Sequence, residues 1–259
     1  MTEHHLCRIL VVDDDIMIRQ LLELFLKRSG YEVDQAESGE MALTMLARED
    51  QEKPDAVLAD MQLPGIAGSA LAANIRTQYG DDIRLIAMSG SQPENTMLKG
   101  FDGFLRKPFT EDALKQTLGG NTPWLSEQKM PSSGTMVLHQ IVYERLAASM
   151  SHEKLTQLYE LCLSDTLRRV EAIRVAARHG DDTACRKQGH AIQGSCGMVG
   201  ASQMESLGRS IESHGLVANL MDTLDELTRS CTRLKDILGE HGITITKQGR
   251  QPGGEEKSA

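Results

Sequence analysis

Short runs of branched apolar residues alternate with helix-length amphipathic stretches through residues 7–118, and this alternation constrains the fold more than any other feature of the chain. The runs are 8–12 (RILVV), 31–36 (YEVDQA), 56–59 (AVLA), 83–88 (IRLIAM) and 103–106 (GFLR). Helical spacing covers 16–28, 38–48, 68–77, a short piece over 93–98, and 110–118. Ser29-Gly30 is a fair stop signal for the first of these helices. Strands alternating with helices of this length predict a parallel sheet with helices on both faces. The continuously apolar run at 56–59 belongs to a buried strand, and the more polar 31–36 lies nearer an edge.

Four of these runs end on a residue that carries chemistry. Val12 gives onto Asp13, Asp14 and Asp15, and the run at 56–59 gives onto Asp60, with a Pro64-Gly65 turn signal beyond it. The run at 83–88 leads to Ser89, and 103–106 leads to Lys107 and Pro108. Open α/β sheets place their ligand sites at the carboxyl ends of strands. Carboxylates gathered there hold each other's protons unless a cation sits among them. Mg²⁺ suits such a site, being hard, oxygen-liganded and commonly shared with phosphate and water. A lysine point charge, a hydroxyl and a divalent cation can together neutralise a phosphoryl group in transit to Asp60. Taken singly, an Asp pair after a strand reads as a helix cap and a Lys-Pro as a surface turn. Together, at successive strand ends, they point to Asp60 as a phosphoryl acceptor.

The segments VVDDD, LADMQLPG, AMSG and LRKPF together resemble the receiver domain of two-component response regulators, over residues 7–118. The resemblance implies a flavodoxin-like α/β fold with a five-stranded parallel sheet in the order 2-1-3-4-5. It further implies Asp13 and Asp14 as metal-binding acids, Asp60 as phosphoacceptor and metal ligand, and the backbone carbonyl of Gln62 as another ligand. Ser89 would be the switch hydroxyl and Lys107 the phosphate-contacting lysine. Phe104 falls at the switch-aromatic position, where plain core packing is an equal alternative, and Asp15 reads as the cap of the following helix. Gly90, beside the switch hydroxyl, has no side chain to block the pocket.

Residues 119–135 break the pattern with glycine, proline and serine, as a linker does, and carry the chain's one tryptophan, Trp124. From 136 to 240 only helical periodicity remains, as in an antiparallel bundle of four or five helices. One of them carries an apolar stripe through Leu155, Leu158, Tyr159, Cys162, Thr166, Val170, Ile173 and Ala177. Asp181 opens the next helix, and Ser202-Gln-Met-Glu205 has the form of a capping box for a third. Residues 246–259 read as a disordered tail.

Within the bundle, the stretch from Arg186 to Ala201 holds a histidine among glycines. At about 100° per residue, Ala184, Gln188, Ala191, Ile192, Ser195, Met198 and Val199 gather on one side, with His190 on the other. Gly194, Gly197 and Ala201 continue the line of His190 along its face. Glycine costs about 1 kcal/mol in a helix interior, so their presence needs a reason. One is access, a face cleared so that an acidic pocket can come down onto the imidazole. The other is close helix packing, or a broken helix. Arg186 and Lys187 flank the face and would favour a phosphoryl group, or are ordinary solvated charges.

HAIQGSCGMVGA resembles the core of histidine phosphotransfer (HPt) domains, over roughly 136–240. That resemblance implies His190 as the phosphorylated residue, with Arg186, Lys187, Gln193, Gly194 and Gly197 around it. Gln193 stands where the family commonly has lysine, which removes one cation near the phosphate but leaves a hydrogen-bond donor.

The expected function is a phosphorelay intermediate, rather than a kinase with its own ATP site. A sensor histidine kinase would supply Asp60, and a separate response regulator would exchange phosphate with His190. A phosphorylation-controlled binding switch and a phosphate sink running from His190 to Asp60 remain open alternatives, as do self-phosphorylation and autodephosphorylation. The net charge of −9 argues against broad nucleic-acid binding. The five cysteines show no metal-ligand spacing. No apolar run could insert in a bilayer and the N-terminal residues lack a signal-peptide core, so a cytoplasmic location is expected.

Overall fold

The structure, a computed structural model, describes residues 8–48, 50, 52–90, 94–119 and 136–245. Residues 120–135 of the expected linker, Trp124 among them, and the tail expected at 246–259 lie outside the described residues. Five parallel strands form one sheet: β1 (Arg8–Val12), β2 (Glu32–Ala36), β3 (Ala56–Asp60), β4 (Arg84–Ser89) and β5 (Gly103–Arg106). Their order is β2-β1-β3-β4-β5, as expected. The helices of this half are α1 (Ile16–Arg28), α2 (Gly39–Leu46), α3 (Gly68–Tyr79) and α4 (Glu111–Leu118), with a 3₁₀ turn at Asn95–Leu98.

Alternation along the strands supplies both faces of the sheet. Ile9, Val11, Leu58, Ile86 and Met88 point toward the side covered by α1 and α4. Leu10, Val12, Val57, Ala59, Leu85 and Ala87 point toward α2 and α3. Central β3 is buried throughout, whereas most of β2 is only half-buried, consistent with its polar sequence and edge position. Asp15, Ser38 and Thr110 cap α1, α2 and α4 by accepting from Met17 N, Met41 N and Ala113 N. Strand β4 runs one residue beyond the expected apolar run, so Ser89 is its last member and pairs in register with Arg106.

The second half is an all-α antiparallel bundle of α5 (Gln140–Ser149), α6 (His152–Arg178), α7 (Asp182–Met198), α8 (Ser202–His214) and α9 (Leu220–Glu240). Asp181 caps α7, as expected, by accepting from Ala184 N. The expected capping box at Ser202–Glu205 does not form. Ala201 is the N-cap of α8, while Ser202 bonds back to the Gly200 carbonyl and Glu205 pairs with Arg209. On α6, Leu155, Leu158, Tyr159, Cys162, Val170 and Ile173 are buried along the expected stripe. The Tyr159 hydroxyl donates to the Val199 carbonyl at 3.0 Å, tying α6 to the end of α7.

The core stripe of α7 corrects the sequence reading. Cys185, Ile192, Cys196 and Val199 enter the bundle core, while Ala191 and Ser195 turn with His190 toward the sheet domain. The core follows a stripe one position away because α7 is buried on two sides. It is covered by α8 and α6, and α1 of the first domain also packs on α6 and α7. One apolar cluster therefore runs without a break from beneath the sheet into the bundle. Among the described residues, no helix is long and apolar enough to cross a membrane.

Candidate functional site

The carboxyl edge of the sheet gathers the acids. Asp13 follows β1, Asp60 ends β3, and Lys107 follows β5 with its backbone N–H on the Ser89 carbonyl at 2.7 Å. Lys107 Nζ lies 2.6 Å from Asp13 Oδ2 and 3.2 Å from Asp60 Oδ1. The other Asp13 oxygen accepts from Asp15 N at 2.9 Å. All three side chains are at most 4% exposed, so their charges interact at low effective dielectric.

Burial pushes the Asp13 carboxyl up to about 7; Lys107 pulls it down, and Asp60 and Asp15 push it further up. For Lys107, burial alone would lower the ammonium, but Asp13 and Asp60 outweigh it and hold the group above its ordinary value. One lysine thus serves two buried acids, with Asp14 a third nearby. Asp13, Asp14 and Asp60 each offer an oxygen within 4.8 Å of the others. Three convergent oxygen donors, one forced toward its neutral form for want of positive charge, fit a hard divalent cation.

His190 closes this pocket from the bundle. Asp13, Asp14, Asp60, Gln62, Lys107, Lys187, His190 and Gly194 share one small cavity of about 20 Å³, room for about one water. The approach depends on missing side chains. A methyl at Gly90 would meet His190 Cε1 at 3.1 Å, one at Gly194 would lie 3.8 Å from Lys107 Cδ, and one at Gly197 would press Pro108 at 3.2 Å. Gly197 therefore serves access, the first of the two reasons considered from sequence, whereas at Gly194 a methyl would make only an ordinary contact with Lys107. The second applies to Gly189, where a methyl would lie 2.6 Å from Glu212 N and 2.9 Å from the Gly208 carbonyl. Gly189 and Gly208 let α7 and α8 touch through their backbones.

That contact brings Glu212 Oε1 to 2.8 Å from His190 Nδ1. An ionised carboxylate only accepts, so Nδ1 is the donor, and in the neutral ring this bond leaves the lone pair on Nε2. Sequence gave no sign of Glu212, which sits 22 residues away on another helix.

Other expectations fare differently. Arg186 does not reach the cavity; its guanidinium pairs with Asp182 and bonds the carbonyls of Glu212, Ser213 and His214 at the end of α8. It pins the helix end that carries Glu212, where unpaired carbonyls attract a cation. Lys187 faces the cavity, with Nζ 3.6 Å from Asp14 Oδ2. Gln193 is buried and spans to the Gly90 carbonyl at 3.5 Å, while its Oε1 has no hydrogen-bond partner among the described residues. Ser89 is buried at the end of β4, and Phe104 is half-buried against the α2–α3 face of the sheet.

Comparison with known proteins follows the same division. Residues 9–119 match the response regulator receiver domain model, and residues 157–240 match the Hpt domain model. Over 109 residues the chain is 38% identical to the uncharacterized transcriptional regulatory protein YrkP of Bacillus subtilis, covering 41% of this chain and 46% of that protein. Over 111 residues it is 33% identical to the response regulator MprA of Mycolicibacterium vanbaalenii, covering 41% and 46%. The chain thus spans about half the length of the curated relatives it matches. A solved structure of the response regulator protein TrrA from Thermotoga maritima, in complex with Mg²⁺-BeF, is 34% identical. It covers 45% of this chain and 99% of that one, with a TM-score of 0.40.

Proposed function

We propose that this chain, a receiver domain joined to an Hpt domain in a two-component phosphorelay, passes a phosphoryl group between its own Asp60 and His190. The observation that carries this reading is their shared cavity, roofed by the imidazole and floored by the acids. Placing donor and acceptor together removes the orientational cost of a bimolecular encounter.

In the transfer the P–O bond to the Asp60 carboxylate breaks and a P–N bond to His190 Nε2 forms. Asp60 leaves as a carboxylate, and the imidazole keeps its Nδ1 proton on Glu212. Lys107 offsets negative charge on Asp60 as the carboxylate is released. Asp13, Asp14, Asp60 and the Gln62 carbonyl would hold Mg²⁺, which would supply positive charge to offset that of the phosphoryl group. A sensor histidine kinase charges Asp60, and a separate response regulator exchanges phosphate with His190. Ser89 contacts the phosphorylated form, and Phe104 follows it. The domains span 7–118 and 136–240.

The test is labelling with a small phosphodonor and Mg²⁺ in wild-type, Asp60→Ala and His190→Ala chains. Wild type should carry both alkali-labile acyl phosphate and alkali-stable phosphohistidine. Asp60→Ala should lose both, and His190→Ala only the second. Absence of phosphohistidine from wild type, with acyl phosphate present, would refute transfer within the chain. Phosphohistidine loaded by a phosphorylated regulator, appearing later on Asp60, would assign the flow to a sink.

Glu212→Ala should slow phosphohistidine formation about tenfold or more, as loss of an orienting partner does. Acyl phosphate on Asp60 should form at the wild-type rate. An unchanged histidine labelling rate would remove Glu212 from the mechanism.

A further inference from the structure

We propose that Arg169 is the latch pairing the Hpt domain with its own receiver, and so sets whether His190 exchanges phosphate within the chain or with another molecule. The inference rests on the transfer reading above. Arg169 lies in the middle of α6 and lines no part of the His190 cavity. Its Nη2 reaches Asp15 Oδ2 of the receiver at 3.1 Å, its Nε reaches Asp165 at 2.5 Å, and its Nη1 reaches Gln188 of α7 at 3.2 Å. The guanidinium side chain is 10% exposed, Asp15 5% and Asp165 6%.

Geometry favours this group over the other cross-domain contacts. Asp15 is not a mobile surface acid, because its Oδ1 caps α1 on Met17 N at 2.8 Å. The Oδ2 left over points across the junction to Arg169, so the receiver presents a fixed charge and the bundle a fixed fork. By contrast, Lys187–Asp14 is longer and half-exposed, and Phe109 N meets only the Met198 sulfur. Without the guanidinium, two buried carboxylates, Asp15 and Asp165, would face each other, with only the exposed Arg168 on the outer oxygen of Asp165.

The contact is also built to open. When the domains part, Arg169 keeps Asp165 as its partner, and Asp15 keeps its capping bond and gains water. Neither charge is orphaned in the open form. Opening is needed because the imidazole roofs a cavity that holds about one water, which leaves no room for the phosphodonor that loads Asp60. Loading Asp60 therefore competes with the closed pairing, and the latch sets that balance.

The test separates exchange within a chain from exchange between chains. A full-length His190→Ala chain, labelled on Asp60 by a small phosphodonor, is mixed with a full-length Asp60→Ala acceptor carrying His190. Adding Arg169→Met to the acceptor should raise labelling of its His190 about tenfold by uncovering the imidazole. In a chain with both carriers intact, Arg169→Met should lower labelling of its own His190 about tenfold. Asp15→Asn, which keeps a capping side chain, should shift both rates in the same directions and controls for misfolding of the arginine variant. A simple loss of structure would lower both rates together and, seen in both variants, would overturn the latch, as would rates unchanged in both. If His190 takes no label even within the wild-type chain, the transfer reading fails instead.

Discussion

Gly90→Val should sever the two carriers while sparing the first: acyl phosphate forms on Asp60 at close to the normal rate, and phosphohistidine formation within the chain falls at least about 100-fold. A first carbon at Gly90 already stands 3.1 Å from His190 Cε1 and 3.6 Å from Nδ1, and valine adds two methyls beyond it. The ring cannot yield toward α8, where Glu212 holds Nδ1 and the backbones of Gly189 and Gly208 touch. The imidazole must back away from the acids, and a misplacement of about 1 Å is enough for a loss of that size. A small phosphodonor needs no histidine, and the atoms nearest a first carbon at Gly90 belong to His190 and Gln193 of the bundle rather than to the receiver acids, so labelling of Asp60 reads the receiver separately. Gly90→Ala should fall between, because a contact of 3.1 Å asks the ring to shift by only a few tenths of an ångström. Equal phosphohistidine yields from wild type and Gly90→Val would show that His190 does not enter the pocket past Gly90.

The sheet and its acids were legible because each is a local pattern. A strand shows as a short apolar run, and the residue after it is the residue at the carboxyl edge. Asp13, Asp60, Ser89 and Lys107 needed only that rule and the parallel topology to be brought together. His190 stood out for a similar reason, since the cost of Gly194 and Gly197 on its face called for an explanation. What escaped are contacts set by packing between elements. Glu212 reaches His190 only because Gly189 and Gly208 bring two helices together, and no spacing within either helix encodes that. Asp165 and Arg169 are four apart at the margin of an apolar stripe, a spacing that suits a solvated surface pair equally well, and only the approach of Asp15 at the start of α1 sets them apart. The charge of Arg186 suits either a phosphoryl neighbour or solvent, and sequence spacing gives no hint of the carbonyls at the end of α8 that hold it. The docking of the receiver on its own Hpt domain also lay beyond the sequence, for a cleared helix face fits any acidic pocket.

Mg²⁺ should stabilise the chain much more at pH 8 than at pH 5.5, and Asp13 should account for the difference. The ordinary carboxyl value of Asp13 is 3.8, and burial in the folded chain pushes it up to about 7. Between those values the folded state holds a proton that the unfolded chain releases. The metal-free protein therefore has its full Asp13 contribution below about pH 4 and loses it as pH rises to about 7. A divalent cation among Asp13, Asp14 and Asp60 displaces that proton and restores balance to the buried charge. At pH 8 no proton competes; at pH 5.5 the cation must expel one. At a Mg²⁺ concentration about 100 times Kd, the stabilisation is about 2.7 kcal/mol. For a receiver domain of roughly 110 residues that raises Tm by roughly 10 °C. The shift at pH 5.5 should be a small fraction of this. Asp13→Asn should flatten the metal-free stability between pH 4 and 7 and abolish most of the Mg²⁺ effect, while chelation of wild type should abolish labelling of Asp60. An equal Tm rise at both pH values, or one that survives Asp13→Asn, would place the cation somewhere other than this cluster.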